Sequence, residues 1–254
     1  MAILDLFSLQ GKNALVTGSS QGLGAGMAIA FAQAGANVTL HGFDEVLQST
    51  VEEVQQTGVR SISMTGDVCD PEVCARLVDE TVSAFGSIDI LVNNAGTIRR
   101  APAAEHSPES WSTVIETNLN SVFRLSQYAG RKMLAQGSGK IINIASMLTF
   151  QGGILVPSYA AAKGAVGQLT KALANEWASR GVNVNAIAPG YMATDNTAPL
   201  RADAERSKTI LARIPAGRWG LPSDLAGAAV FLASAASNYV HGHILVVDGG
   251  WLCR

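Results

Sequence analysis

The chain has 254 residues, 48% of them hydrophobic and 15% charged, with 26 glycines, 3 cysteines and a formal charge of −2. High hydrophobicity with little net charge excludes intrinsic disorder, and near-neutrality leaves no basic face for a nucleic-acid backbone. The glycines follow no triplet period, which excludes collagen, and an α/β chain of this length is expected to fold as one domain over residues 1–254.

The first ten residues carry no basic run, and Asp5 interrupts their apolar character. The apolar stretch from Leu225 to Ala236 is too short to cross a bilayer and contains Ser234. A cytoplasmic chain without membrane contact is expected. Cys69, Cys74 and Cys253 are odd in number and form no C-x-x-C pair, which points to reduced thiols rather than disulfides.

In chain order, seven short runs read as strands: Asn13–Thr17, Asn37–His41, Ser61–Met64, Ile88–Asn93, Lys140–Ala145, Asn183–Ala188 and His243–Val247. Most are continuous Val/Ile/Leu runs, the pattern of strands buried on both faces. Helical stretches separate them. Gly22 to Ala34 is rich in Gly and Ala, suited to lying close on a sheet. Asp70-Pro71-Glu72 and Ser107-Pro108-Glu109 each set an N-cap residue before proline, with an acid after it. Alternating strands and helices imply parallel strands joined by right-handed crossovers, in an open sheet or in a closed barrel.

The first strand runs into Thr17-Gly18-Ser19-Ser20-Gln21-Gly22-Leu23-Gly24 and then a helix. A glycine-rich turn there lets backbone approach a pyrophosphate, which the helix N-terminus attracts. The second strand ends His41-Gly42-Phe43-Asp44, and no Lys or Arg occurs between Lys12 and Arg60. A ribose 2′-phosphate would lack a cation from this segment, so NAD is expected over NADP. Phe43 is read either as a cover for the adenine or as an edge residue of the sheet.

Tyr159 and Lys163 stand one helical turn apart, on one face. A free phenol has a pKa near ~10, and a neighbouring ammonium lowers it. Tyr159 would then exchange a proton with a substrate hydroxyl, and Ser146, at the end of the fifth strand, would bond the same oxygen. His241 and His243 lie two apart with no third ligand nearby, so no metal is expected.

These motifs, with Asn93-Asn94-Ala95-Gly96 and Pro189-Gly190, occur in an order and spacing that resemble the short-chain dehydrogenase/reductase family over essentially the whole chain. The resemblance implies an α/β fold, a three-layer Rossmann fold with a doubly wound seven-stranded parallel sheet. It implies a Ser146-Tyr159-Lys163 site completed by Asn118, with Lys163 gripping the nicotinamide ribose and Asn118 holding a proton-relaying water. Gly18, Ser20, Gln21, Gly22, Leu23 and Gly24 would meet the pyrophosphate side of the cofactor. Phe43, Asp67 and Val68 would meet its adenosine. Asn94, Ala95 and Gly96 would flank it, while Pro189, Gly190, Met192 and Thr194, with Tyr159 and Lys163, would surround the nicotinamide. A homotetramer is implied as well.

Further segments resemble a group of that family acting on deoxy sugar acids of the 2-deoxy-D-gluconate and 2-dehydro-3-deoxy-D-gluconate type. They include Asn94 to Arg100, Ala145 to Gly153 and Arg213 to Pro222. Arg99 or Arg100 could bind the substrate carboxylate bidentately, and Gln151 could bond its hydroxyls; the alternative for each is a surface or subunit contact. The rival activities are another short-chain dehydrogenase, notably one acting on 3-hydroxybutyrate, and a catalytically silent NAD-binding regulator.

Overall fold

Strands that are apolar along their whole length must be covered on both faces, and the fold does this. The structure, a computed structural model, describes residues 2–254. Its strands are β1 (Asn13–Val16), β2 (Asn37–Gly42), β3 (Ser61–Thr65), β4 (Ile90–Asn93), β5 (Gly139–Ile144), β6 (Val182–Pro189) and β7 (Ile244–Val247). Each lies within two residues of its predicted run. They form one parallel sheet in the order β3-β2-β1-β4-β5-β6-β7, open at both edges, which excludes the closed barrel.

Successive side chains of a strand enter opposite layers. Ala14, Val16, Ile90, Val92, Ile142 and Ile144 join a core with α1 (Gly22–Gln33) and the late apolar helix Ala226–Ala233. Leu15, Leu91 and Ile141 face the other way. They meet Leu77 and Val78 of a helix over Pro71–Phe85, Leu125 and Met133 of one over Ser121–Gln136, and Trp177 of one over Pro157–Trp177. This is the three-layer Rossmann arrangement. The chain leaves β1 toward β3, then returns to its other side as β4, so the crevice opens beyond the carboxyl ends of β1 and β4.

The predicted caps form. Asp70 accepts from the Glu72 N–H at 2.8 Å and Ser107 from the Ser110 N–H at 3.1 Å, each before a proline at the first turn. Beneath the crevice runs a buried polar ladder. Asn93 Nδ2 donates to Asn143 Oδ1 at 2.8 Å and to Ser126 Oγ at 3.0 Å, while Asn143 Nδ2 donates to Thr170 Oγ1 at 2.9 Å. It ties β4 and β5 to the two helices that cover them.

Candidate active site

Six strand ends converge on one cavity of about 960 Å³. Its glycine-loop wall needs residues without side chains. Gly18 and Gly22 both have φ of +62°, in the left-handed region, and a Cβ on Gly24 would sit 2.2 Å from the Gly18 carbonyl oxygen. The loop is held from beneath: Asn94 Nδ2 donates to the Thr17 and Gly18 carbonyls, both at 2.9 Å. Thr17 Oγ1 in turn accepts from the N–H groups of Asn94 and Ala95, at 3.0 and 3.1 Å. This bare turn opening onto a helix start fits the diphosphate of a dinucleotide.

Most of the residues predicted to meet a cofactor line the cavity: Gly18, Ser20, Gln21, Gly22, Leu23, Phe43, Asp67, Val68, Asn94, Ala95, Gly96, Gly190 and Thr194. Several also have structural duties. Ser20 Oγ accepts from the Leu47 N–H at 2.9 Å, and Asp67 Oδ1 accepts from the Cys69 N–H at 2.9 Å. Three predicted residues are not part of the lining. Gly24 backs the loop, Pro189 ends β6, and Met192 is buried in the core against Gly220. Phe43 is 63% exposed at the cavity edge.

At the other end, Pro157 starts α2 (Pro157–Trp177), whose first turns carry Tyr159 and Lys163 beside the end of β5. Ser146 follows β5 with extended backbone (φ −166°), and its hydroxyl acts on the Tyr159 phenol beside it to lower its pKa. Lys163 is 4% exposed; its Nζ donates to the Ile144 carbonyl at 2.5 Å and lies 5.7 Å from the centre of the Tyr159 ring. Three of the four groups predicted as catalytic are thus brought together.

Burial dominates their electrostatics. Burial pushes the Tyr159 phenol above its ordinary value, opposed by the Ser146 hydrogen bond and by the charge of Arg100. Burial also draws the Lys163 ammonium down to about 8.

Asn118 is fully buried in a single π-helical turn, Glu116–Asn120, and is not part of the cavity lining. Its amide clamps one backbone unit, accepting from the Thr97 N–H at 2.8 Å and donating to the Thr97 carbonyl at 2.7 Å. That fixes the segment leading to Arg99 and Arg100. Both arginines line the cavity, but Arg99 is turned to its own loop, donating to Thr97 Oγ1 at 2.8 Å and the Ile98 carbonyl at 3.2 Å.

Sequence reasoning missed the opposite wall. Arg206 and Arg213, from a helix over Ala204–Arg213, line the cavity together with Trp251. The Arg213 guanidinium lies 4.0 Å over the Trp251 ring, and its Nη2 donates to Gln151 Oε1 at 3.4 Å. Gln151 is therefore in the lining, as expected, with an arginine partner that is 62 positions away. Among the described residues no cluster of His, Cys, Asp or Glu could hold a metal ion, and no helix is long and apolar enough to cross a membrane.

Comparison with known proteins agrees with this geometry. The family profile described as enoyl-(acyl carrier protein) reductase matches residues 18–252. A 2-dehydro-3-deoxy-D-gluconate 5-dehydrogenase of Dickeya dadantii is 57% identical, covering 99% of this chain and 100% of its own. A crystal structure from Agrobacterium tumefaciens, provisionally named a 2-deoxy-D-gluconate 3-dehydrogenase and holding NADP, is 52% identical with a TM-score of 0.92, covering 98% of this chain and 100% of its own. A gluconate 5-dehydrogenase from Burkholderia cenocepacia, in complex with NADP and tartrate, is 40% identical with a TM-score of 0.95 over 100% of both chains. The glycine turn, the Ser-Tyr-Lys cluster at the strand ends and full-length similarity have one reading: the chain belongs to the short-chain dehydrogenase/reductase family.

Proposed function

We propose that this chain is an NAD-dependent oxidoreductase interconverting a secondary alcohol and a ketone on a deoxy sugar acid of the 2-deoxy-D-gluconate or 2-dehydro-3-deoxy-D-gluconate type. The observation that carries it is one cavity joining a bare glycine turn, a Ser146-Tyr159-Lys163 cluster and four arginines. The names of the relatives supply the substrate class. A homotetramer in the cytoplasm is the assembly and location we expect.

The nicotinamide ring, when bound, accepts or gives the hydride. The chain's own residues handle the oxygen. Ser146 Oγ holds the substrate hydroxyl or carbonyl against the Tyr159 phenol, whose oxygen takes the proton in oxidation and returns it in reduction. Lys163 steadies the ribose side of the site with its ammonium, and Asn118 keeps the Thr97–Arg100 segment in position. Arg100 is the preferred carboxylate partner, since Arg99 is occupied within its own loop.

Arg100→Leu is expected to raise KM for the sugar acid by about tenfold or more, because a charge-assisted bond is worth ~1.5–3 kcal/mol. It should also move the alkaline rise of the oxidation rate to higher pH, since a cation lowers a neighbouring phenol's pKa and its loss lets that pKa climb. The KM for NAD should not change. A pH–rate profile identical to the parent's would remove Arg100 from the site.

The adenosine half of the lining carries Asp67 and no lysine or arginine, while the arginines cluster at the other end. We therefore expect kcat/KM for NAD to exceed that for NADP by about tenfold or more, since an unpaired phosphate is costly to desolvate. The deciding experiment is a screen with both cofactors over 2-deoxy-gluconate, 2-dehydro-3-deoxy-gluconate, gluconate and 3-hydroxybutyrate. Turnover of 3-hydroxybutyrate alone would replace the substrate reading. Equal use of both cofactors would align the chain with its relatives solved with NADP and overturn the NAD preference.

A further inference from the structure

The second strand ends in a histidine that the mechanism does not use. His41 is 2% exposed, yet both of its ring nitrogens are engaged. Nδ1 lies 3.1 Å from the Gly18 N–H, and Nε2 lies 3.0 Å from the Gly66 carbonyl oxygen. A backbone N–H can only donate, so Nδ1 must be the acceptor. The ring proton must then reside on Nε2, where it is donated to Gly66. One neutral tautomer satisfies both contacts.

The ring thereby bridges two turns that both line the cavity: the glycine loop after β1 and the Gly66–Asp67 turn after β3. The backbone reinforces the bridge. Ser19 N–H donates to the His41 carbonyl at 2.8 Å, and the His41 N–H donates to Ser19 Oγ at 2.9 Å. On the other side of the loop, Asn94 holds the Gly18 carbonyl at 2.9 Å. Gly18 is thus gripped through its N–H by one side chain and through its C=O by another. Its φ of +62° is the conformation these two grips select.

We propose that His41 is a positioning residue for cofactor binding, a neutral imidazole that fixes the glycine loop by accepting from Gly18 and couples it to the turn that carries Asp67. The inference rests on the reading of the cavity as a dinucleotide site. It has a direct chemical consequence. Protonating Nδ1 sets an N–H against the Gly18 N–H, donor facing donor, and the grip is lost. The loop then shifts, and cofactor affinity falls with the fraction of imidazolium.

The charged groups acting on the ring are Asp67, from the turn after β3, and Arg76, from the helix over Pro71–Phe85. The carboxylate favours the imidazolium and the guanidinium opposes it. The glycine loop contributes only Gly18 and Ser19 at the contact, with no charge. Burial is the largest influence and holds the imidazole neutral below its ordinary pKa. The grip is therefore intact at neutral pH and fails on acidification.

Three preparations test this: the parent, His41→Phe and His41→Asn. Phenylalanine keeps the ring and removes both nitrogens. Asparagine restores an acceptor near the Nδ1 position and does not titrate. NADH binding is followed by fluorescence titration from pH 5 to 8, without substrate. The parent's Kd should rise as pH falls below the imidazole pKa, approaching tenfold per unit. His41→Phe should weaken NADH about tenfold or more at every pH, because a buried donor is left unsatisfied. His41→Asn should bind within about threefold of the parent at pH 8 and lose the acid-side rise. The loss should fall on Kd and on KM for NADH rather than on kcat at saturation.

Histidine-labelled protein without NADH supplies an independent readout. Its ¹⁵N spectrum should show one imidazole held as the Nε2–H tautomer at neutral pH, absent from His41→Asn. An Nδ1–H tautomer, full-strength NADH binding by a folded His41→Phe, or an unchanged acid-side rise in His41→Asn would each overturn the role of His41. If His41→Phe does not fold, the asparagine variant and the tautomer spectrum decide. A parent chain that binds neither NADH nor NADPH would sink the dinucleotide reading and this inference with it, whereas binding without His41 dependence sinks the inference alone.

Discussion

Tyr159→Phe is expected to lower kcat by between about 10²- and 10⁴-fold, the range for removing a positioned proton-transfer group. The substitution deletes one oxygen and leaves the ring in place beside Ser146 and Lys163. Folding should be unaffected, and NADH should bind within about threefold of the parent. Steady-state rates in both directions and an NADH fluorescence titration check the two halves. Near-normal turnover would mean that the proton travels by another route. A matched loss of NADH binding would mean that the phenol acts as a cofactor ligand rather than as an acid and base.

Lys163→Met separates catalysis from stability in opposite directions. The ammonium is 4% exposed and has the Ile144 carbonyl as its hydrogen-bond acceptor. Burial brings its pKa to about 8 from the ordinary 10.5. Below pH 8 the folded chain carries a buried charge that the unfolded chain carries in water, and folding bears that cost. Between about 8 and 10.5 the folded chain sheds the proton first, so the unfolded state binds more protons and stability rises with pH. Methionine has similar length and no charge. It should stabilise the fold by about 2 kcal/mol at pH 7, once the lost hydrogen bond is offset against the removed desolvation cost. Tm should rise by a few degrees, and the variant should lack the parent's gain in stability above pH 8. Turnover should fall about 10²- to 10³-fold, as when a preorganised charge is removed from a reacting centre. A destabilised variant with turnover intact would make the lysine a structural residue.

The strands were legible because burial on both faces leaves an uninterrupted apolar signature, and all seven runs proved to be strands. The glycine turn and the Tyr159–Lys163 pair were legible for a different reason. Their constraints are local, a positive φ in one case and a single helical turn in the other. Contacts made across the fold left no such mark. His41 read only as the end of a strand, because its partners Gly18 and Gly66 lie 23 and 25 positions away. The wall formed by Arg213 and Trp251 comes from a late helix and the last turn, and only folding brings it over Gln151. The influence of Arg100 on the phenol was hidden for the same reason. A helical pitch brings Lys163 near the ring, yet it does not show that its Nζ is turned to the Ile144 carbonyl or that Arg100 acts on the phenol from the loop after β4.

The polar ladder under the crevice has a consequence for how the reacting oxygen keeps its address. The α2 helix is rich in alanine and glycine near its start, and such a smooth surface packs almost as well after sliding along the sheet. A slip of one turn would carry Tyr159 about 5.4 Å out of reach of Ser146. Hydrophobic contact alone penalises that slip weakly. The bond from Asn143 to Thr170, backed by Asn93 and Ser126, forbids it, because any other alignment strands buried amides without partners. The phenol's location is thus specified two helical turns and more below the chemistry, in a layer of amides and hydroxyls that never meets the substrate.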